Sequence, residues 1–211
     1  MNQPEHWNQI YRQKTPQQMS WTRSHLDLSL AWIERSTPDR TAHILDVGAG
    51  VSTLCDDLWE RGYRNLSVLD LAPAAMEQLG QRTAGRVTCL VGDVTTFPFA
   101  QGAYDLWHDR AVFHFLTDPA ARAAYVRQVE HALRPGGHIL IATFGPQGPE
   151  KCSGLPVVRY TPEQLHEQFG PGFQFLGSHS EMHTTPFGTE QQFVYCFCSL
   201  AQERLGQDIE V

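Results

Sequence analysis

The stretch HILDVGAGVST, residues 43–53, ends a short apolar run at Asp46–Val47 and turns through Gly48 and Gly50 into a polar pair able to open a helix. Glycines at such a turn let the backbone approach a ligand where a Cβ would collide. In sheets of parallel strands, ligands bind at the carboxyl end of the first strand. Asp70 stands twenty residues beyond Gly50, at the end of a second apolar run, where an acid accepts hydrogen bonds from ribose hydroxyls. Asp93 follows a third such run in LVGDVTTFPF. The dinucleotide fingerprint GxGxxG is broken, because its third glycine position holds Thr53. These residues ask for a ligand laid against the glycine turn, with carboxylates rather than cations around it.

Short apolar runs must carry these residues. The pattern predicts strands at His43–Val47, Leu66–Asp70, Val87–Val91, Tyr104–His108 and His138–Phe144, with helical stretches near 52–62, 73–82 and 118–134 between them. Asp118-Pro119 supplies a cap followed by proline at the first helical position. Such alternation predicts an α/β fold, a parallel sheet with helices on both faces. Residues 5–14 and 22–36 read as helices ahead of the first strand and bring Trp7, Tyr11 and Trp21. Residues 145–160, rich in Gly and Pro, read as a long loop holding Lys151, Cys152 and Arg159, and loops of that length are often functional. Thr161-Pro162-Glu163-Gln164 has capping-box spacing for a short helix. Two strands near 173–183 and 190–198 share so short a join that they must be antiparallel. The tail from Ala201 is expected to fray.

At 211 residues, with 41% hydrophobic and 18% charged residues, the chain fits one domain with a sizeable core. No apolar run approaches the roughly 20 residues that span a bilayer, and no signal-peptide core opens the sequence, so no membrane partner and a cytoplasmic location are expected. Net charge is −7 and the fourteen arginines are scattered, which speaks against nucleic acid as a partner. Cys55, Cys89, Cys152, Cys196 and Cys198 form no CxxC or zinc spacing and read as free thiols in a reducing compartment. His179, Glu181 and His183 alternate along one strand face. Two histidines and a carboxylate could bind a metal, yet an exposed polar face explains them more cheaply, so no metal is expected.

Together, DVGAG, Asp70, the GDV of Asp93 and Val94, and ALRPGGHILIATF resemble the class I S-adenosylmethionine-dependent methyltransferases. The resemblance covers residues 42–145 closely and the flanks loosely. It implies a single Rossmann-like domain: a mostly parallel seven-stranded sheet with a C-terminal antiparallel hairpin, an N-terminal helical lid over 1–40, a cofactor core over 42–145 and a substrate-side loop, helix and hairpin over 146–200. It implies S-adenosyl-L-methionine as cofactor. Gly48 and Gly50 would pass its methionine part, with Asp46 beneath them helping to hold the ammonium. Asp70, with Leu71 beside it, would take the ribose. Asp93 would take the adenine amino group, with Val94 donating through its backbone and packing on the ring, while Asp109 would offer its carbonyl to the ammonium. A sulfonium and an ammonium without phosphate suit carboxylates.

Methyl transfer is an in-line displacement at an activated carbon, so the protein mainly aligns the nucleophile and excludes water. WHDRAVFHFL departs from the N/D-PP-Y/F signature of adenine and glutamine N-methyltransferases. Its first seven residues are similar to the Asp-Arg segment of thiopurine S-methyltransferases, which implies that Arg110 borders the acceptor pocket. His114 falls where many small-molecule methyltransferases carry a histidine, although a helix-packed, non-catalytic role fits equally. Trp7, Tyr11 and Trp21 would close over the site or simply pack the outer helices; Arg159 would reach it from the loop, and Cys152 would either reach it or be an exposed thiol with no task. The expected partner is a small-molecule methyl acceptor, a thiol or other soft nucleophile. The alternatives are a protein lysine N-methyltransferase and a non-catalytic S-adenosylmethionine-binding module.

Overall fold

A computed structural model describes residues 3–202; residues 203–211, most of the tail expected to fray, lie outside it. Seven strands make one sheet in the order β3-β2-β1-β4-β5-β9-β8. They are β1 (His43–Val47), β2 (Asn65–Asp70), β3 (Thr88–Val91), β4 (Tyr104–Arg110), β5 (Leu133–Phe144), β8 (Phe173–Thr184) and β9 (Glu190–Leu200). A two-stranded hairpin of β6 (Lys151–Cys152) and β7 (Leu155–Pro156) stands apart. Strands β1 to β5 pair in parallel, whereas β9 runs antiparallel to both β5 and β8. The chain lays β2 and β3 on one side of β1 and β4 and β5 on the other. This reversal opens a crevice between the carboxyl ends of β1 and β4.

Two-residue periodicity sorts the sheet into two cores. Ile44, Val68, Leu106 and Leu140 pack with Phe193, Tyr195 and Phe197 beneath the helices α1 (Gln3–Gln13), α2 (Asp27–Ser36), α3 (Leu54–Glu60) and α4 (Pro73–Thr83). Leu45, Leu69, Trp107, Ile139 and Ile141 pack on the opposite face against α5 (Pro119–Ala132) and α6 (Pro162–Glu167). The same parity puts Asp46, His108 and Arg110 on the α1–α4 face and Asp109 on the α5 face.

Local chemistry explains the ends of these elements. The Asp118 side chain accepts from Ala120 N to cap α5, and the Thr161–Gln164 capping box opens α6. Helix α2 starts at Asp27, later than the pattern suggested, because the carbonyls ahead of it are engaged elsewhere. Trp21 O accepts from Arg110, Ser24 O accepts from Thr53, and Ser20 O lies 2.7 Å from His183 Nε2. Segment 19–25 is thereby laid across the sheet as a strap. Strand β4 runs two residues past His108, since pairing with β5 continues to Arg110 opposite Ala142. At the outer edge, β8 is interrupted by a register shift between Phe175 and Gly177, where the glycine lies under the Trp32 ring. Among the described residues no helix is long and apolar enough to cross a membrane, and all five cysteines are free.

Candidate active site

A cavity lies at the carboxyl edge of the sheet, roofed by α1. Its floor holds Gly48 at the end of β1, Asp70 and Leu71 at the end of β2, and Asp93 and Val94 after β3. The opposite end is lined by Trp7, Trp21, Arg110, Phe115, Phe144 and Cys152, with Tyr11 on the roof. Ten of the residues singled out in the sequence therefore meet in one cavity.

The floor is fixed by the backbone. Gly48 and Gly50 have φ of +65° and +53°, a left-handed turn that favours glycine. A Cβ at Gly48 would strike Val112, and one at Gly50 would strike the Tyr11 ring, so the turn also lies in close contact with its cover. Asp70 accepts from Gly50 N at 2.9 Å on one oxygen and from Ala72 N at 2.8 Å on the other. Each oxygen keeps a free lone pair for a donor in the cavity. Burial pushes the Asp70 carboxyl up to about 6 against the pull of those bonds. Asp93 is exposed; one oxygen accepts from Thr95 N and Oγ1 in a turn, and the other is free for a ligand. Two acidic groups on the floor and glycine backbone against it fit a ribose and a cationic ligand, which is the demand S-adenosylmethionine makes.

The other end is aromatic. Trp7 meets Trp21 and Phe115 edge-on at 5.8 and 5.1 Å between ring centroids. Arg110 donates through Nε to Tyr195 Oη at 3.1 Å and through Nη1 to Trp21 O at 2.9 Å. Its guanidinium lies 4.1 Å above the Phe193 ring. Tyr195 Oη donates to Glu181, which is ion-paired with Arg23 of the strap. Burial pushes the Cys152 thiol up to about 11 and lifts Tyr11 well above its ordinary range, so both are protonated at neutral pH.

Several expected residues stand elsewhere. Asp46 faces a second, smaller cleft that shares Trp21, Gly48 and Arg110 with the first. Its carboxylate lies 2.6 Å from Nδ1 of the cross-strand neighbour His108, whose Nε2 is 2.9 Å from Ser29 Oγ. Asp109 points to the α5 face, away from the cavity, accepting from Val112 N on one oxygen and from Phe113 N and Tyr125 Oη on the other. His114 sits behind the wall, where its Nδ1 accepts from Phe144 N, and burial with nearby Arg110 drives it down to about 3. It is a neutral imidazole whose acceptor nitrogen is already engaged. Arg159 donates to the Pro146 and Gly148 carbonyls and pairs with Glu150, stitching the 145–160 loop away from the cavity. Of the His179, Glu181 and His183 face, only His179 is exposed, because the other two clasp the strap. Among the described residues no three metal-ligating side chains converge.

Arg23, Glu181, Tyr195 and His108 were missed as members of the site. Parity alone could have paired His108 with Asp46 and set Tyr195 on the face of Arg110.

Residues 44–137 match a family model described as a methyltransferase domain. The chain is 30% identical over 122 residues to the malonyl-[acyl-carrier protein] O-methyltransferase of Halorhodospira halophila, over 54% of this chain and 40% of that one. It is 26% identical over 156 residues to EEF1A lysine methyltransferase 2 of Danio rerio, over 70% of this chain and 61% of that one. It thus spans less than two thirds of the length of these curated relatives. Among solved structures, Burkholderia thailandensis 1,6-didemethyltoxoflavin-N1-methyltransferase, with bound 1,6-didemethyltoxoflavin and S-adenosylhomocysteine, superposes with a TM-score of 0.66. The identity there is 20%, covering 92% of this chain and 81% of that one. With the sheet order and the glycine turn, these matches support kinship with the class I S-adenosylmethionine-dependent methyltransferases, whose methyltransferase domain residues 44–137 resemble.

Proposed function

We propose that this protein transfers a methyl group from S-adenosylmethionine to a small cytoplasmic molecule, a thiol or related soft nucleophile, held in the aromatic end of the cavity. The observation that carries the proposal is the shared cavity itself: a carboxylate-bearing floor and an aromatic chamber are continuous. When bound, the cofactor supplies a methyl carbon already activated by its sulfonium. Asp70 accepts from the ribose hydroxyls, with Leu71 beside it. Asp93 and Val94 take the adenine, and Gly48 and Gly50 admit the methionine part. Asp46, oriented by His108, serves the ammonium from the smaller cleft, and the Asp109 carbonyl serves it from β4. Trp7, Tyr11 and Trp21 keep water from the reacting atoms. Arg110 contacts the acceptor, Cys152 forms part of its wall, and His114 positions Phe144 from behind.

The relative named as a lysine methyltransferase supports a protein acceptor instead. Against it stands the charge of Arg110, which repels a lysine ammonium. The test is transfer of a radiolabelled methyl group to thiols, sulfide, amines, carboxylates and a protein lysate. Label is expected in a small thiol; label confined to protein would overturn the small-molecule acceptor. Tight cofactor binding with no label anywhere would leave a binding module.

A further inference from the structure

Accepting that methyl-transfer reading, we infer that the acceptor is bound as an anion, its negative group set against the guanidinium of Arg110. Two observations carry this, one about charge and one about protons.

The first is an uncompensated cation. Arg110 lines the cavity, and its polar partners among the described residues, Tyr195 Oη and the Trp21 carbonyl, are both neutral. Its Nη2 is buried without a hydrogen-bond partner. Glu181 is the nearest acid along this network, one residue beyond through Tyr195, and it is already ion-paired with Arg23. A partly buried guanidinium with one buried, free donor is costly unless an acceptor meets it, and a charged acceptor meets it best. The chamber around it is otherwise aromatic, so the complementary ligand is a small anion with an apolar body. The cavity then has opposite charges at its two ends, Asp70 and Asp93 at the floor and Arg110 at the chamber.

The second is the absence of a base on the chamber wall among the described residues. Tyr11 and Cys152 are held protonated, and His114 is neutral with Nδ1 engaged behind the wall. An anionic nucleophile needs none of them. Its lone pair forms the new bond to the methyl carbon, the S–CH3 bond breaks with its electrons left on sulfur, and the positive and negative reactants give neutral centres with no proton moved.

The same chemistry could come from the cofactor's own carboxylate, since Arg110 also borders the smaller cleft. Calorimetry separates the sources, with benzoate and benzamide as probes. S-adenosylhomocysteine is titrated first; if it does not bind the wild-type protein, the parent reading fails before any acceptor probe is added, and this inference falls with it. On the loaded protein, benzoate is expected to bind at least roughly tenfold more tightly than benzamide. Arg110→Met should abolish that preference and leave S-adenosylhomocysteine affinity nearly unchanged, while Arg110→Lys, which keeps the charge and guards against misfolding of the first variant, should retain it. Equal binding of the two probes, or none by benzoate, overturns the inference, as does loss of the preference in Arg110→Lys. So does a roughly tenfold loss of S-adenosylhomocysteine affinity in Arg110→Met that its decarboxylated analogue does not share, because the guanidinium then serves the cofactor.

Discussion

Asp70 and Asp109 are both buried aspartates at the ends of parallel strands, and burial pushes both carboxyls up to about 6. Asp70 lies on the cavity floor and accepts one backbone N–H on each oxygen, leaving capacity for ligand donors. Asp109 accepts two backbone N–H groups and the Tyr125 hydroxyl, on the face away from the cavity. A carboxylate at a strand end is therefore not yet a ligand site. The face it takes, and how many neighbours already engage it, decide whether it binds a ligand or ties the fold together.

The largest effect separating the two should come from Asp109→Ala. It strands two buried N–H groups and a phenol, at about 1–3 kcal/mol each, so stability in urea should fall by about 3 kcal/mol or more. S-adenosylhomocysteine affinity of the folded protein should change little. A variant that kept its stability but lost affinity would reverse the roles assigned here.

Asp70→Ala should do the opposite. Hydrogen bonds from ribose hydroxyls to a charged carboxylate contribute about 1.5–3 kcal/mol, so calorimetric affinity should drop at least roughly tenfold while the protein still unfolds cooperatively. Unchanged affinity would reduce Asp70 to a turn former.

The smallest effect is in pH dependence. Each carboxyl is raised from its ordinary 3.8 to about 6, so the native state holds protons that the unfolded chain releases. Their contribution to stability is complete below about pH 3.8 and is lost as pH rises through about 6. Ribose donors require the ionised form of Asp70, so S-adenosylhomocysteine affinity should move the other way, weakening below about pH 6 by at most roughly tenfold per unit. Asp70→Ala should flatten this affinity profile. A profile that stayed steep in that variant, or that Asp109→Ala flattened, would mean the wrong aspartate had been assigned to the ligand.

The cofactor end was legible because its parts are local. A strand, a two-glycine turn and an acid twenty residues on are local features, and β1 and β2 followed from their short apolar runs. The acceptor end was not, because its contacts join residues far apart in the chain. Arg110 and Tyr195 are 85 residues apart, and Arg23 and Glu181 are 158 apart. Nothing near Arg23 foretells that a hairpin folded last will clasp it. Arg159 shows the converse, since a lone cation in a Gly- and Pro-rich loop reads as a ligand contact but serves the loop's own carbonyls. Asp109 was placed at the right strand end, whereas the engagement of its carboxylate with α5 depended on β4 running two residues further than the pattern suggested.

The interruption in β8 bears on how an exposed sheet edge meets other chains. A twelve-residue outer strand offers unpaired amides and carbonyls along its free side, and Phe175, Leu176 and Met182 are exposed on it. Long, even edges of that kind template the addition of further strands and so seed aggregates. Here the register shift at Phe175/Gly177 breaks the ladder, and the glycine lies tucked under the Trp32 ring. What remains for an incoming chain is two mutually misaligned segments, one of three residues and one of eight, the longer carrying His179 and Glu181. A register shift that looks like a packing compromise thus also shortens the even edge on which strands could add.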